Sequence, residues 1–398
     1  MAAKSAGSTK VKIGIYLCAI LMMGAIGVSS NLANIMAAFP NVNPTTIVAI
    51  MVSIPCLIVI PMTIVTGFLM ARISKKVLMI IGVLLWLIGG VVPFAMNGLY
   101  SIFAMRIIFG IGLGMVQTLT AALVVENFED PAERDKVMGN ETAFQMLGAI
   151  IFSMVAGNLG TIGWKIAFLV HLLAILSLIA TIVCIPNKKP IQVEKTTGEK
   201  AKFQPTAMMW IWVIAFFVFM ISGQTYSNSA SSIITERGLG GSAAAGYSLA
   251  LFALGGLIMG FIFGKLASRL KKFTLTVGCI LLAVSYLIMT FAPNIGISYV
   301  GAFICGLAFS ICMPCLFNGA GNSVTLASSG MAVAIATCLQ NAGMAICPYI
   351  VNPIGGTLHG ANGSLSANQW AMIFGVIVVI VLAVVFTIIT FAGDKKKA

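Results

Sequence analysis

Apolar residues fill this chain in twelve long blocks, separated by short breaks rich in polar residues, glycine or proline. The blocks predict membrane-spanning helices near 13–38, 46–70, 77–96, 100–125, 139–160 and 165–186, then 207–231, 243–264, 274–292, 297–322, 329–352 and 368–392. A helix crosses hydrocarbon with roughly 20 mostly apolar residues, so twelve of them take about 240 and leave room for short loops. The expected fold is therefore an all-α membrane protein of twelve transmembrane helices. One break stands apart: residues 187–206 are polar, carry Lys188, Lys189, Lys195, Lys200 and Lys202, and form the longest interruption. It predicts a six-helix bundle over 1–186, a linker over 187–206, and a second six-helix bundle over 207–398 with a basic tail.

Composition agrees with that pattern. Of 398 residues, 60% are hydrophobic and 8% charged, against about 25% charged in an ordinary soluble domain, so most of the surface faces lipid. The net charge of +13 does not point to nucleic acid, because the basic residues are spread between apolar blocks rather than gathered on one face. They mark topology instead. With the N-terminus in the cytoplasm, twenty of the 23 lysines and arginines fall in cytoplasmic tails and loops, as the retention of basic loops on that side requires. The expectation is a multi-pass protein of the cytoplasmic (inner) membrane with both termini cytoplasmic. The first apolar block is too long for a signal peptide and reads as a retained span.

The halves resemble each other at an offset of 197 residues. Ser30 and Asn31 match Ser227 and Asn228; Gly67, Leu69, Arg72 and Lys75 match Gly264, Leu266, Arg269 and Lys272; Phe94, Ala95 and Asn97 match Phe291, Ala292 and Asn294. Aligned Asn, Arg and Lys residues within apolar sequence mark a duplicated unit.

Chemistry-bearing motifs are sparse. No nucleophile with a base, HExxH or phosphate loop is present, so an enzyme or an ATP-driven pump is not expected. The nine cysteines lie mostly inside apolar blocks with no histidine nearby and read as small buried residues, and neither a metal nor a cofactor is expected.

Gly67-Phe-Leu-Met-Ala-Arg-Ile-Ser-Lys-Lys76 resembles the loop signature G-x-L-x-D-R-x-G-R-K of the major facilitator superfamily, between its second and third spans. Gly264-Lys-Leu-Ala-Ser-Arg-Leu-Lys-Lys272 resembles its degenerate second copy. Arg106 with Gly110, Gly112 and Gly114, then Glu133-Arg134 and Gly163-Trp164-Lys165, add family-like features across the first half. The resemblance implies two pseudo-symmetric six-helix bundles, the major facilitator fold, acting as a secondary transporter by alternating access. It assigns gating at the cytoplasmic ends to Gly67, Arg72, Lys75, Lys76, Gly264, Arg269 and Lys272. Two departures are visible. The loop aspartate is Ala71 in one copy and Ser268 in the other, and the antiporter signature of the fifth span keeps Gly139, Gly148 and Gly157 but has Phe152-Ser153 where Gly-Pro is usual.

Polar residues within spans are the candidate site, since each needs a partner or a water-filled cavity in hydrocarbon. The substrate-binding candidates are Asn31, Arg106, Gln117, Gln224, Tyr226, Asn228, Asn318, Gln340 and Asn341; hydrogen-bonded packing between helices is the competing role for each. Arg106 offers a planar fork for a carboxylate. Glu126 and Glu141 read as lying at span ends, and His171 as packed. The solute expected is a small organic anion or a neutral metabolite, carried by a monomer in the lipid bilayer, with a proton or counter-solute as candidate coupling partner. A drug/proton efflux antiporter and a non-transporting membrane sensor are the alternatives.

Overall fold

The computed structural model describes residues 2–128, 130–188 and 204–395. Most of the expected linker, with Lys189, Lys195, Lys200 and Lys202, lies outside the described residues. Twelve helical elements follow one another. We number them α1 (Ala2–Leu21, continued by Ile26–Ser29 and Leu32–Ala38), α2 (Pro44–Met70), α3 (Lys75–Val91), α4 (Leu99–Asn127), α5 (Pro131–Ile162) and α6 (Ile166–Cys184). The second six are α7 (Ala207–Glu236), α8 (Ser242–Leu270), α9 (Thr274–Phe291), α10 (Ile295–Asn322), α11 (Leu326–Asn362) and α12 (Ala367–Lys395). Eleven stretches are long and apolar enough to cross a membrane, and one of these, Ser242–Phe291, contains both α8 and α9. Twelve alternating crossings bring both chain ends to one face, called here the terminal face; the other is the far face.

The two halves are less alike locally than their 197-residue register suggests. α7 is continuous, whereas α1 breaks at residues 22–25 and again at Ser30 and Asn31. Glycine explains much of this: Gly24 and Gly27 stand where the second half has Ile221 and Gln224, and glycine costs about 1 kcal/mol in a helix interior relative to alanine. Gly27 is also needed for packing, because a Cβ there would lie 3.0 Å from the Phe152 carbonyl oxygen. α2 carries a π-helical turn over Ala49–Ser53, just before Pro55. α11 runs ten residues past the expected end at 352 despite Pro348 and Pro353 inside it. Its apolar block stops near there but its backbone does not, until Gly363 adopts φ 59° beyond its last turn.

Two large sets of buried side chains, with two smaller ones beside them, hold the elements together. One runs from Val11 to Ile185 around Trp86, Phe109 and Phe152, the other from Met209 to Phe386 around Phe216, Phe219 and Tyr286. Between them α5 packs along α8, and α2 along α11. The hydrogen bonds described across this seam lie in the far-face half of the membrane. Ser231 Oγ donates to the Ser30 carbonyl (3.1 Å) and accepts from the Ala33 amide (3.3 Å). Asn352 Nδ2 donates to Thr45 Oγ1 (3.3 Å), and Asn158 Nδ2 to the Tyr247 hydroxyl (3.2 Å).

Glycine permits that closeness. A Cβ on Gly157 would sit 2.7 Å from the Ser242 carbonyl oxygen and 2.8 Å from Gly246 Cα, the approach that small residues allow between membrane helices. Toward the terminal face the seam is open: a Cβ on Gly67, Gly139, Gly260 or Gly264 meets nothing within 4 Å. Phe68 and Phe261 beside them are 74% and 76% exposed. The structure is thus closed at the far face and parted at the terminal face. Gly157→Leu cannot coexist with this arrangement, so spin labels placed across the far-face seam should move apart in the variant; overpacking of about 1–3 kcal/mol is enough to invert such a balance. An unchanged distance distribution would show that the contact is not tight.

Candidate functional site

The floor of the parted cleft is built where α1 crosses α5 and α7. Its first member, Asn31, occupies the break in α1, fully buried, and its Nδ2 donates to the Ala156 carbonyl of α5 (2.8 Å) and to Ser30 Oγ (3.1 Å). Asn34 reaches the Gly160 carbonyl beside it (3.1 Å). One turn below Ser231 on α7, Asn228 accepts from Gln224 Nε2 (3.4 Å) and donates to Cys347 Sγ of α11 (3.5 Å). Asn31 thus bonds toward α5 and the Gln224–Asn228 pair toward α11, on either side of the Ser30–Ser231 contact between α1 and α7.

Other candidates are placed around this floor with fewer ties. Asn341 is buried and turned back onto its own helix through the Thr337 carbonyl (3.0 Å). Gln117 on α4 and Gln340 on α11 are half-buried, and Asn318 on α10 is exposed near the terminal face. Two candidates lie elsewhere. Tyr226 points into the second half's own core, its hydroxyl 2.9 Å from Ser248 Oγ, beside a small cavity lined by Ala230, Ser248, Met289 and Met372. A helix turns through about 100° per residue, so Tyr226, two positions from Asn228, points to a different side of α7.

Arg106 is the larger correction. It has no exposed surface, its Nη2 donates to the Gly89 carbonyl of α3 (2.8 Å), and its guanidinium lies over the rings of Phe109 (4.6 Å) and Phe168 (5.3 Å). His171 closes the same box against Trp86 and Phe109, with its Nδ1 2.8 Å from the Phe168 carbonyl oxygen. The cation is thus held inside the first half by aromatic faces and one carbonyl, and does not reach the cleft.

The gating candidates cluster at the terminal ends. Lys75 pairs with Glu126 (3.0 Å) and Lys76 Nζ donates to the Ile182 carbonyl (2.6 Å), both within the first half, while Arg72 and Arg269 are exposed. Gly67 and Gly264 border the open seam, and Lys272 is exposed at the turn after α8.

Glu141 lies near a span end, as expected, at the sixth residue of the apolar stretch Lys136–Ile162; its burial is what differs. α5 itself begins earlier, at Pro131, capped by Asp130, whose carboxylate accepts from the Glu133 amide (3.2 Å). Ten residues in, Glu141 is about 15 Å along the helix and only 6% exposed. The earlier helix start was legible in Asp130-Pro131, an N-cap followed by proline at the first helical position. The chain also contains one Cys-x-x-Cys, Cys312 and Cys315, with Cys312 Sγ 4.0 Å from Cys279 Sγ; among the described residues no group of three ligands suited to a metal forms.

If Arg106 is a structural cation, Arg106→Ala should lower thermal stability, by about 3 kcal/mol for a large side chain lost from a packed interior. Ligand affinity of the surviving folded protein should stay within two-fold of wild type in the same preparation, roughly 0.4 kcal/mol. A stable variant with lost affinity would return Arg106 to the cleft.

Comparison with known proteins agrees with this fold. Among curated proteins no sequence matches significantly. Solved structures share the fold: a D-xylose-proton symporter (TM-score 0.76, 14% identity, 95% of this chain and 97% of that one) and a nucleoside transporter (0.76, 13%, 96% and 99%). A peptide transporter in complex with sulfate is similar too (TM-score 0.75, 15% identity, 96% of this chain and 94% of that one). The sequence profile of the Major Facilitator Superfamily matches residues 15–348, and the chain belongs to that family of secondary transporters of small solutes.

Proposed function

We propose that this transporter carries a small, neutral, hydrogen-bonding metabolite, bound on the cleft floor between Asn31, Gln224 and Asn228. The observation that carries this reading is the chemistry of that floor: it offers amides and a thiol, with no charged side chain among them. A charged solute desolvated there would cost several kcal/mol without a partner. Of the two solute classes expected, the anion depended on Arg106 reaching the cleft, and Arg106 faces the first half's aromatic core. Orientation follows the basic residues, which place the terminal face in the cytoplasm; the conformation described is then open inward. The segments 1–186 and 207–398 act as the two rocking units, joined by the linker. Efflux of lipophilic cations is disfavoured by the same lack of charge on the floor.

A thermal-shift panel of the purified protein, with sugars, polyols, nucleosides, monocarboxylates and quaternary ammonium compounds, tests the solute class. Neutral compounds should stabilise, and Asn228→Ala should weaken the best of them about five- to ten-fold, the worth of one hydrogen bond near 1 kcal/mol. Stabilisation by anions or cations alone would overturn the assignment.

Gating makes a separate forecast. Because Gly67 and Gly264 have open space here, leucine at either should leave binding to this conformation intact, yet obstruct closure of the terminal face. In proteoliposomes flux should fall at least ten-fold at unchanged affinity. Equal losses of both would instead mark a damaged fold.

A further inference from the structure

We propose that Glu141 is the proton site of this transporter, binding a proton in one half of the cycle and releasing it in the other, so that solute movement is coupled to proton movement. The inference rests on the transport reading above and deepens it.

Glu141 is a carboxyl group 6% exposed, about 15 Å along α5, whose described hydrogen bond is from Gln145 Nε2 at 3.5 Å. It takes part in neither described ion pair. Those go to its neighbours: Glu133, two turns earlier, holds Lys12 at 2.6 Å, and Glu126 on α4 holds Lys75. Among the described residues, the ionisable groups named below on the elements packed against α5 bond elsewhere or are exposed. On α1, Lys12 is taken by Glu133 and the Tyr16 hydroxyl accepts from Asn140 (3.1 Å). On α4, Arg106 is spent on Gly89 and two rings. On α6, His171 is shut in the aromatic box, and Lys165 before it bonds Asn97. On α8, Tyr247 meets Asn158 near the far face, while Lys265 and Arg269 are exposed at the terminal end.

An ionised carboxylate left like this in a low-dielectric interior costs several kcal/mol, and a bound proton removes the cost. The cost also depends on conformation. Asn140 and Thr142, on either side of Glu141, are exposed while the terminal face is parted; closing that face would remove their water and leave the neutral acid as the tolerable form. Release is a simple step: the carboxyl O–H bond breaks, the proton passes to a cleft water, and the carboxylate keeps the Gln145 N–H as its donor. Uptake reverses it. The Gln145 amide one turn along α5 thus serves both forms, since its oxygen can accept from the acid and its nitrogen can donate to the anion.

The test reads the carboxyl group itself and needs no solute, so its failure is separable from failure of the transport reading. Infrared difference spectra of the purified wild-type protein, recorded across a pH titration, should contain a titrating carboxylic C=O band. That band should be lost in Glu141→Gln, retained in Glu126→Gln, and displaced in frequency in Glu141→Asp. Thermal melting checks that each variant is folded. Should Glu141→Gln fail to fold, the aspartate variant decides alone. Titration spectra of a folded Glu141→Gln protein that superimpose on wild type, or an undisplaced band in Glu141→Asp, would overturn the proposal.

Discussion

A backbone amide that enters hydrocarbon must find its partner within the protein, and the working parts of this structure are the few places where a helix fails to supply one. α1 is the main exception. Its break at Ser30 and Asn31 frees backbone groups at membrane depth, and those same groups make the contact between the halves: Ser231 of α7 bonds the Ser30 carbonyl and the Ala33 amide together. The interruption and the far-face closure are thus one feature. Parting that seam returns the freed groups to water rather than to hydrocarbon, so they are paired in the closed arrangement and solvated in the open one. A continuous α1 would have no such groups to offer.

Glycine sets how closely the halves approach. At Gly157 and Gly246 the backbones of α5 and α8 touch, with Gly157 Cα 3.0 Å from where a Cβ of Gly246 would lie. Farther along the same two helices, Gly139 and Gly260 have no such neighbour. Helices that meet through bare backbone can slide or part without interdigitated side chains that would have to be unpacked.

Much of this could be read from the sequence, and the limits are instructive. The twelve crossings, their order and the duplicated halves were visible because apolar block length and aligned Asn, Arg and Lys residues are strong signals. Asn31 and Asn228 were read as a pair from the repeat; in the structure Asn31 bonds α5 and Asn228 bonds α11, and the bond between α1 and α7 is made by Ser231 with Ser30 and Ala33. What block length cannot show is where a helix begins or ends beyond its apolar surface, which is why α5 starts earlier than expected and α11 was cut short. Nor does it show which way a side chain turns. Arg106 and Tyr226 share helices with cleft residues yet face their own bundle, and only packing against Phe109, Phe168 and Ser248 settles that.

Two of the buried ionisable groups in the first half, Arg106 and Glu141, illustrate why their roles diverge. Guanidinium remains charged under any condition the protein meets, and Arg106 keeps fixed contacts with two ring faces and the Gly89 carbonyl, while its Nε and Nη1 are buried without a described hydrogen-bond partner. Nothing in that enclosure changes when the seam opens, because all of it belongs to one half. A carboxyl group is different in kind, since it can discard its charge by taking a proton. Glu141 has been given little that would hold it ionised, only a long contact from Gln145, and it stands on α5, the helix that forms the seam with α8. A permanent charge with permanent partners stabilises one bundle. A removable charge, poorly partnered and beside the moving boundary, responds to which face is wet, and that response is what converts a conformational change into proton movement.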